Sequence, residues 1–364
     1  MKVLILGAAG KAALAVISAL RFLTGLERIY LADNNAEALC RLSADLASLP
    51  VSPRYLDADS ESSLYERMQE ADIVLGCLGP FHRYEDRIVR MAIATGRDYL
   101  SLCDDPEAVE GVLAQGAEAE RSGARIFCGC GLTPGLSNLL ACRACSRLEG
   151  IDTIGCSFYL ELSADLGSAT IEHLLRCFAG KAPTRRGGKT TTARAGSWEE
   201  LVEFPPPVGN KVVSYLRHPE PITLPEAAAG ARNIWYKAGV GGRGRELALH
   251  SLAWLGEGQR TELWMTALHT AAIGITRRTS GPCLAAVSTT ASGKSDGAVL
   301  RRTLGVVGEY YRLSGLVMAA AVDCLGRAAW APGVYTPEEV LDSPSVFAWL
   351  HRAGVRVLVG EEKA

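Results

Sequence analysis

The first 130 residues alternate short apolar runs with stretches whose apolar positions recur every three to four residues. The runs at 2–6, 28–33, 52–56, 72–75, 98–101 and 124–128 read as strands. Between them, residues 12–22, 36–46, 60–68, 84–94 and 106–122 carry helical spacing. Short strands separated by helices of about ten residues predict an α/β fold, a parallel sheet with right-handed crossovers. After Gly150 the pattern changes: 152–160 has strand character and 171–178 helical spacing. Residues 181–196, with three glycines and several threonines and basic residues, read as a loop-rich tract. Pro205, Pro206 and Pro207 predict a stiff, extended run. Residues 308–324 are helical and rich in small side chains. A further helix starts at Thr336, a suitable N-cap followed by Pro337, Glu338 and Glu339. This second region predicts an α+β domain with long connections.

Composition narrows the function classes. The 364 residues are 48% hydrophobic and 21% charged, as in ordinary globular proteins, with a formal net charge of −2. No basic patch dominates and the arginine pairs are isolated, so no nucleic-acid partner is expected. A membrane span needs about 20 apolar residues; the best runs are cut by Arg21 and Asp323, so no membrane partner is expected. No secretory leader pattern is read at the N-terminus. The eleven scattered cysteines then read as reduced thiols, and a cytoplasmic location is the expectation. Cys128 with Cys130, and Cys142 with Cys145, lack the knuckle turns of zinc sites, so no metal is expected.

The strongest local signal is VLILGAAGKAA, an apolar strand running into a small-residue turn and then a helix. Gly7 permits the tight turn, Ala9 and Gly10 let backbone approach a pyrophosphate, and Lys11 opens the helix whose N–H groups face the phosphates. Asp33 ends the next strand, 26 residues after Gly7, near the spacing of a carboxylate that binds the adenosine ribose. These features predict a doubly wound, Rossmann-type dinucleotide-binding domain. Asp33 repels a 2′-phosphate and Asn34 offers no cation to cradle one, so NAD is expected over NADP. Asp57 follows the third strand and reaches toward the adenine side or the next helix; Gly79 and Pro80, in the loop after the fourth strand, belong in the ligand crevice.

Four segments, MKVLILGAAG, ADIVLGCLGPF, RDYLSLCDD and CGLTPGLSNLLA, together resemble the saccharopine dehydrogenase / lysine 6-dehydrogenase family. The likeness extends to GGKTTTARAGSWEELVEFPPPVG, EPITLP and the C-terminal GVYTPEEVL. It implies a Rossmann domain over 1–130, a substrate and dimerisation domain over 131–325, and a segment at 326–364 that returns to the first domain. It also implies a homodimer and an NAD(P)-dependent oxidoreductase acting on the C–N bond of an amino acid or amine. Ser101 stands where many members carry an aspartate, which puts lysine or saccharopine as substrate in doubt.

Such chemistry needs an acid–base group and an anchor for a substrate carboxylate. Asp104 and His82 are the first acid–base candidates because each follows a strand at the sheet's carboxyl edge; His173 and Lys237 come next. Arg232 and Arg243 are the anchor candidates. Two other functions fit the same fold: a catalytically silent NAD-binding regulator, and a polyamine-forming enzyme that uses bound NAD without net turnover of it.

Overall fold

The computed structural model describes residues 1–228, 230–256, 262–276, 281, 283–327 and 330–363. The chain divides into two compact units, Met1–Gly135 with Tyr311–Leu341, and Leu136–Tyr310 with Asp342–Ala364.

In the first unit, β1 (Lys2–Leu6), β2 (Arg28–Asp33), β3 (Val51–Tyr55), β4 (Ile73–Gly76), β5 (Asp98–Ser101) and β6 (Arg125–Phe127) form one sheet. Its order is β6-β5-β4-β1-β2-β3, and a late strand, Gly333–Tyr335, adds outside β6. Every pairing is parallel. Helices α1 (Lys11–Leu20), α2 (Ala36–Asp45), α3 (Glu61–Gln69), α4 (Phe81–Thr95), α5 (Pro106–Leu113) and α6 (Gly116–Ser122) make the crossovers. Val3, Leu4, Ile5 and Leu6 are all fully buried, as a central strand covered on both faces requires. Helix Tyr310–Arg327 joins this unit, and a Cβ on Gly315 would stand 2.5 Å from the backbone of Ala15, so only glycine allows that approach to α1. Asn35 and Asp105 cap α2 and α5 by accepting the N–H of Ala38 and Ala108 at 3.0 and 3.1 Å.

The second unit is built on a nine-stranded sheet. Its strands include β7 (Gly150–Leu160), β8 (Lys181–Arg186), β9 (Lys189–Arg194), β10 (Glu200–Phe204), β11 (Gly209–Tyr215), β12 (Asn233–Val240), β13 (Leu284–Ser295) and β14 (Ala298–Glu309). The order is β10-β11-β12-β7-β13-β14, closed by the terminal strand Leu358–Lys363, with β8 on β12 and β9 on β8. Only β7 and β12 run parallel among these pairs. One face carries α7 (Leu136–Cys145) and α9 (Glu220–Ala227). Buried Arg302 on β14 donates to the carbonyls of Arg143 and Ala144, both at 2.9 Å, and to Glu361 at 2.9 Å, which fixes the C-terminal end of α7. The other face holds an open groove of about 690 Å³ lined by Ser157, Leu201, Trp235, Thr290, Thr303 and Val359, among others.

Several sequence expectations are corrected. The tract 181–196 is largely the β8–β9 hairpin: Gly187 and Gly188 take φ of +56° and +82°, the turn geometry that suits right-handed strand twist. The three prolines do not run extended; residues 205–208 form the turn between β10 and β11, closed by the Val208 N–H on the Pro205 carbonyl at 3.1 Å. The single helix expected over 106–122 breaks at Ala114–Gln115 into α5 and α6. The unit boundaries also differ from 1–130, 131–325 and 326–364. Residues 311–325 cluster with the parallel sheet, whereas 342–364 cluster with the second unit, because Leu358–Lys363 pairs with β14.

Candidate functional site

The first unit gathers its predicted residues along one edge, since parallel strands all end on the same side. Gly7 takes a φ of +75°, and a Cβ there would lie 2.8 Å from the Cα of Leu78. Glycine is therefore required both by conformation and by the close approach of the loop after β4. Gly10 is the N-cap of α1 and no side chain caps this helix, whose N-terminus is the kind of end that suits an anion. The Asp33 carboxylate accepts the Ala9 N–H on one oxygen and the Asn35 N–H on the other, each at 3.0 Å. Two backbone donors thus hold the carboxylate beside the glycine turn, with lone pairs remaining for ribose hydroxyls. These residues fit a dinucleotide: turn, helix terminus and carboxylate stand in one place.

Asn34 and Lys11 are exposed at the same edge. Asp57 is exposed, and its carboxylate accepts the Asp59 N–H at 3.0 Å, a local turn contact. Gly79 and Pro80 join β4 to α4, Pro80 being the helix N-cap. His82 is exposed in the first turn of α4, and Asp104 is half-buried just beyond β5.

Behind this edge lies a buried cluster that the sequence did not reveal. Tyr99 donates its hydroxyl to Glu85 at 2.9 Å, and burial pushes the Glu85 carboxyl up to about 7. Glu85, Cys103 and Cys128 bring one ligand atom each to within 4.8 Å of one another. A metal there would have to displace protons that burial holds firmly: the Cys103 thiol lies well above its ordinary range.

The second unit holds a second buried polar cluster. His218, at 4% exposure, sits two residues before the fully buried Glu220, and Nδ1 of the ring contacts the Glu220 carboxylate. Ser137 on α7 donates to the other Glu220 oxygen at 2.8 Å, and the neighbouring Asn138 donates to Thr223 at 2.7 Å. The His218 ring stacks on Tyr236 with centroids 4.2 Å apart and planes 14° from parallel. His173 meets it edge-on at 5.9 Å. The local sequence explains the arrangement. In His-Pro-Glu-Pro, Pro219 and Pro221 fix the backbone on either side of Glu220, which opens α9 where the helix dipole favours a carboxylate. The signal was present as an acid and a histidine two residues apart between prolines, but no spacing rule marks it.

Of the remaining candidates, His173 joins this cluster while Lys237 does not. Lys237 donates to Glu200 at 2.7 Å and lies over the Tyr215 and Trp235 rings. Being adjacent to Tyr236 on a strand, it points to the opposite face. Arg232 is exposed before β12, about 13 Å of extended chain from Tyr236. Arg243 opens helix Arg243–Gly256, and its side chain lies outside the described residues.

Residues 3–126 match the family model described as saccharopine dehydrogenase NADP binding domain. The apo, histidine-tagged saccharopine dehydrogenase (L-Glu forming) from Saccharomyces cerevisiae is similar in fold, with a TM-score of 0.71 over 99% of each chain at 14% identity. A probable dehydrogenase from Thermotoga maritima aligns over 99% of this chain and 98% of its own, with a TM-score of 0.48 and 10% identity. No curated protein matches the chain in sequence. The family resemblance read from the sequence is borne out over residues 3–126, which match that family's dinucleotide-binding domain, and the likeness to the yeast enzyme shows the fold.

Proposed function

We propose that the chain is an NAD-dependent oxidoreductase acting on the C–N bond of an amino acid or amine. The carrying observation is the Asp33 carboxylate held against the glycine turn by the Ala9 N–H. Gly7, Ala9, Gly10 and Lys11 would hold the pyrophosphate; Asp33 and Asn34 the adenosine ribose; Asp57 the adenine side; Gly79 and Pro80 the far end of the crevice. The bound dinucleotide supplies hydride transfer; the chain binds, orients and moves protons. Asp104 and His82 remain acid–base candidates of the first unit, and Arg232 and Arg243 candidates for a substrate carboxylate.

NAD is favoured although the matching family model bears NADP in its description. A 2′-phosphate beside Asp33 would meet its negative charge. Arg54, the nearest strand cation at the β2–β3 pair, is engaged by Glu70 at 2.5 Å and Ser52 at 2.8 Å and lies over the Tyr30 ring. The homodimer implied by the resemblance would use the open sheet face of the second unit.

Nucleotide absorbance decides the matter. Purified protein with NAD⁺ or NADP⁺ is offered L-lysine, saccharopine, other amino acids and polyamines, and the reverse reaction is run with carbonyl–amine pairs. Turnover with one amine, faster with NAD⁺, is the expected result. Tight dinucleotide binding without turnover would instead favour a silent regulator. A tenfold preference for NADP would overturn the Asp33 argument.

A further inference from the structure

We propose that Glu85, Cys103 and Cys128 form a buried binding site for a thiophilic divalent metal ion, zinc being the ion that the donor set suits. All three residues belong to the first unit. Metal binding is measured without turnover, so the site stands or falls apart from the oxidoreductase reading.

The chain brings the three donors from separate elements. β5 and β6 are parallel neighbours with Leu100 opposite Phe127, so both strands deliver the residues that follow them at the same edge. Cys103 lies two residues past the end of β5, and Cys128 directly past the end of β6. The backbone of each cysteine is tied down. The Cys103 N–H donates to the Ser101 hydroxyl at 3.0 Å, and the Cys128 N–H donates to the Tyr335 carbonyl at 3.0 Å. The pairs Cys128 with Cys130 and Cys142 with Cys145 gave no expectation of a metal; Cys128 finds its partner in Cys103, from another strand, which no spacing rule marks.

Glu85 comes from α4. It shares the buried face of that helix with Ile88, Val89 and Ala92, at the three- and four-residue steps that the helical period gives to apolar side chains. An acid at such a position costs free energy that an apolar residue would not. One Glu85 oxygen accepts the Tyr99 hydroxyl at 2.9 Å; the other is buried and makes no hydrogen bond among the described residues. The Ser101 hydroxyl stands close enough to favour the charged carboxylate, without hydrogen-bond geometry to it. A buried oxygen left without a partner is rare in folded proteins and points to a ligand. The two Sγ atoms and a Glu85 oxygen lie within 4.8 Å of one another.

Charge and softness select the ion. A thiol is protonated at neutral pH, and burial holds the Cys103 proton more firmly still. A divalent cation that replaces two thiol protons brings two positive charges as two leave, so the charge of the pocket is unchanged. Thiolates select zinc and its heavier d10 relatives over magnesium and calcium, which take oxygen donors. Tetrahedral zinc, about 2.3 Å from sulfur and about 2.0 Å from oxygen, sets its donors roughly 3.6 Å apart, so the cluster closes on it by about an ångström. Three protein donors leave the fourth tetrahedral corner for a water.

The full chain, stripped by chelator under reductant, is titrated with Zn²⁺ or Cd²⁺ alone. Wild type should retain a single zinc per chain through gel filtration, read by elemental analysis. Cd²⁺ should produce thiolate-to-metal charge-transfer absorption, and Zn²⁺ should raise the melting temperature. Cys103→Ser and Cys128→Ser should each weaken zinc binding by more than about 100-fold and lose the absorption. Glu85→Gln, which keeps the side chain's shape, should weaken binding by about tenfold or more. Cys130→Ser removes a buried thiol outside the cluster and should bind as wild type does. Wild type without retained metal and without the absorption would overturn the proposal. So would binding that survives in both Cys103→Ser and Cys128→Ser, which would place the ion on other cysteines, or a Cys130→Ser variant as weak as Cys128→Ser. Should the serine variants fail to fold, Glu85→Gln decides: a zinc-induced rise in melting temperature as large as that of wild type would refute the site, and a smaller one is expected.

Discussion

Single side chains in the first unit carry measurable consequences. Glu85 is fully buried beneath Tyr99, and burial raises its carboxyl to about 7 from an ordinary 4.5. Between those two values the unfolded chain releases the proton while the folded chain keeps it. Stability is therefore fully present below about 4.5, is lost as pH rises through about 7, and stays level above that. The shift corresponds to about 3 kcal/mol. Glu85→Gln keeps an acceptor for Tyr99 but has no proton to lose. Its melting temperature should match wild type near pH 4 and exceed it at pH 8; parallel curves for the two proteins would show that Glu85 titrates normally. Asp33 offers a second residue-scale test. Replacing Asp33 by Ser and Asn34 by Arg removes the repulsion and adds a phosphate partner, so the ratio of NADP to NAD affinity should rise about tenfold or more. An unchanged ratio, measured by calorimetry, would mean that the discrimination lies elsewhere.

At the scale of elements, the sheet of the first unit was legible because each of its strands is a short run bounded by turn residues, and each crossover helix shows a 3.6-residue period. KVLIL, RIYLAD and DYLS fall where the pattern places strands. The second unit was far less legible. In β9, Lys189–Arg194, the side chains are exposed or half-buried, so no apolar alternation marks the strand; only the Gly187-Gly188 turn betrays the hairpin. The residues of the proposed cofactor site were readable because a glycine turn is a backbone requirement written in one residue type. His218 and Glu220 were not, since their partners Ser137 and Tyr236 are distant in sequence and meet only through the sheet. Arg302 makes the same point energetically, reaching from β14 to the end of α7, 159 residues back along the chain. Arg302→Met should destabilise the second unit by about 2 kcal/mol, because two helix carbonyls lose a charged donor while the exposed share of Glu361 softens the loss. Urea unfolding followed by circular dichroism reads this directly, and a change below about 0.5 kcal/mol would remove Arg302 as the anchor of α7.

For the whole molecule, the consequential feature is the open face of the second sheet. α7 and α9 cover one face of it; the groove on the other is lined by Leu201 at 67% exposure and Leu358 at 47%, beside Trp235 and rows of serine and threonine. Exposed apolar side chains grouped on a sheet face, rather than scattered, mark an association surface. A two-fold axis presents the same patch from both partners, so a face that mixes apolar residues with the cross-strand pair Arg301 and Glu362 can meet its own copy with each charge near its opposite. We therefore expect a dimer at micromolar concentration in sedimentation velocity. Leu201→Glu combined with Leu358→Glu places two like charges from each copy on the patch and should give a folded monomer, with circular dichroism and dinucleotide binding unchanged. Each substituted side chain is already solvent-exposed, so loss of the dimer without loss of fold is a clean outcome. A wild type that sediments as a monomer, or a double variant that still dimerises, would show that this face is not where two copies meet.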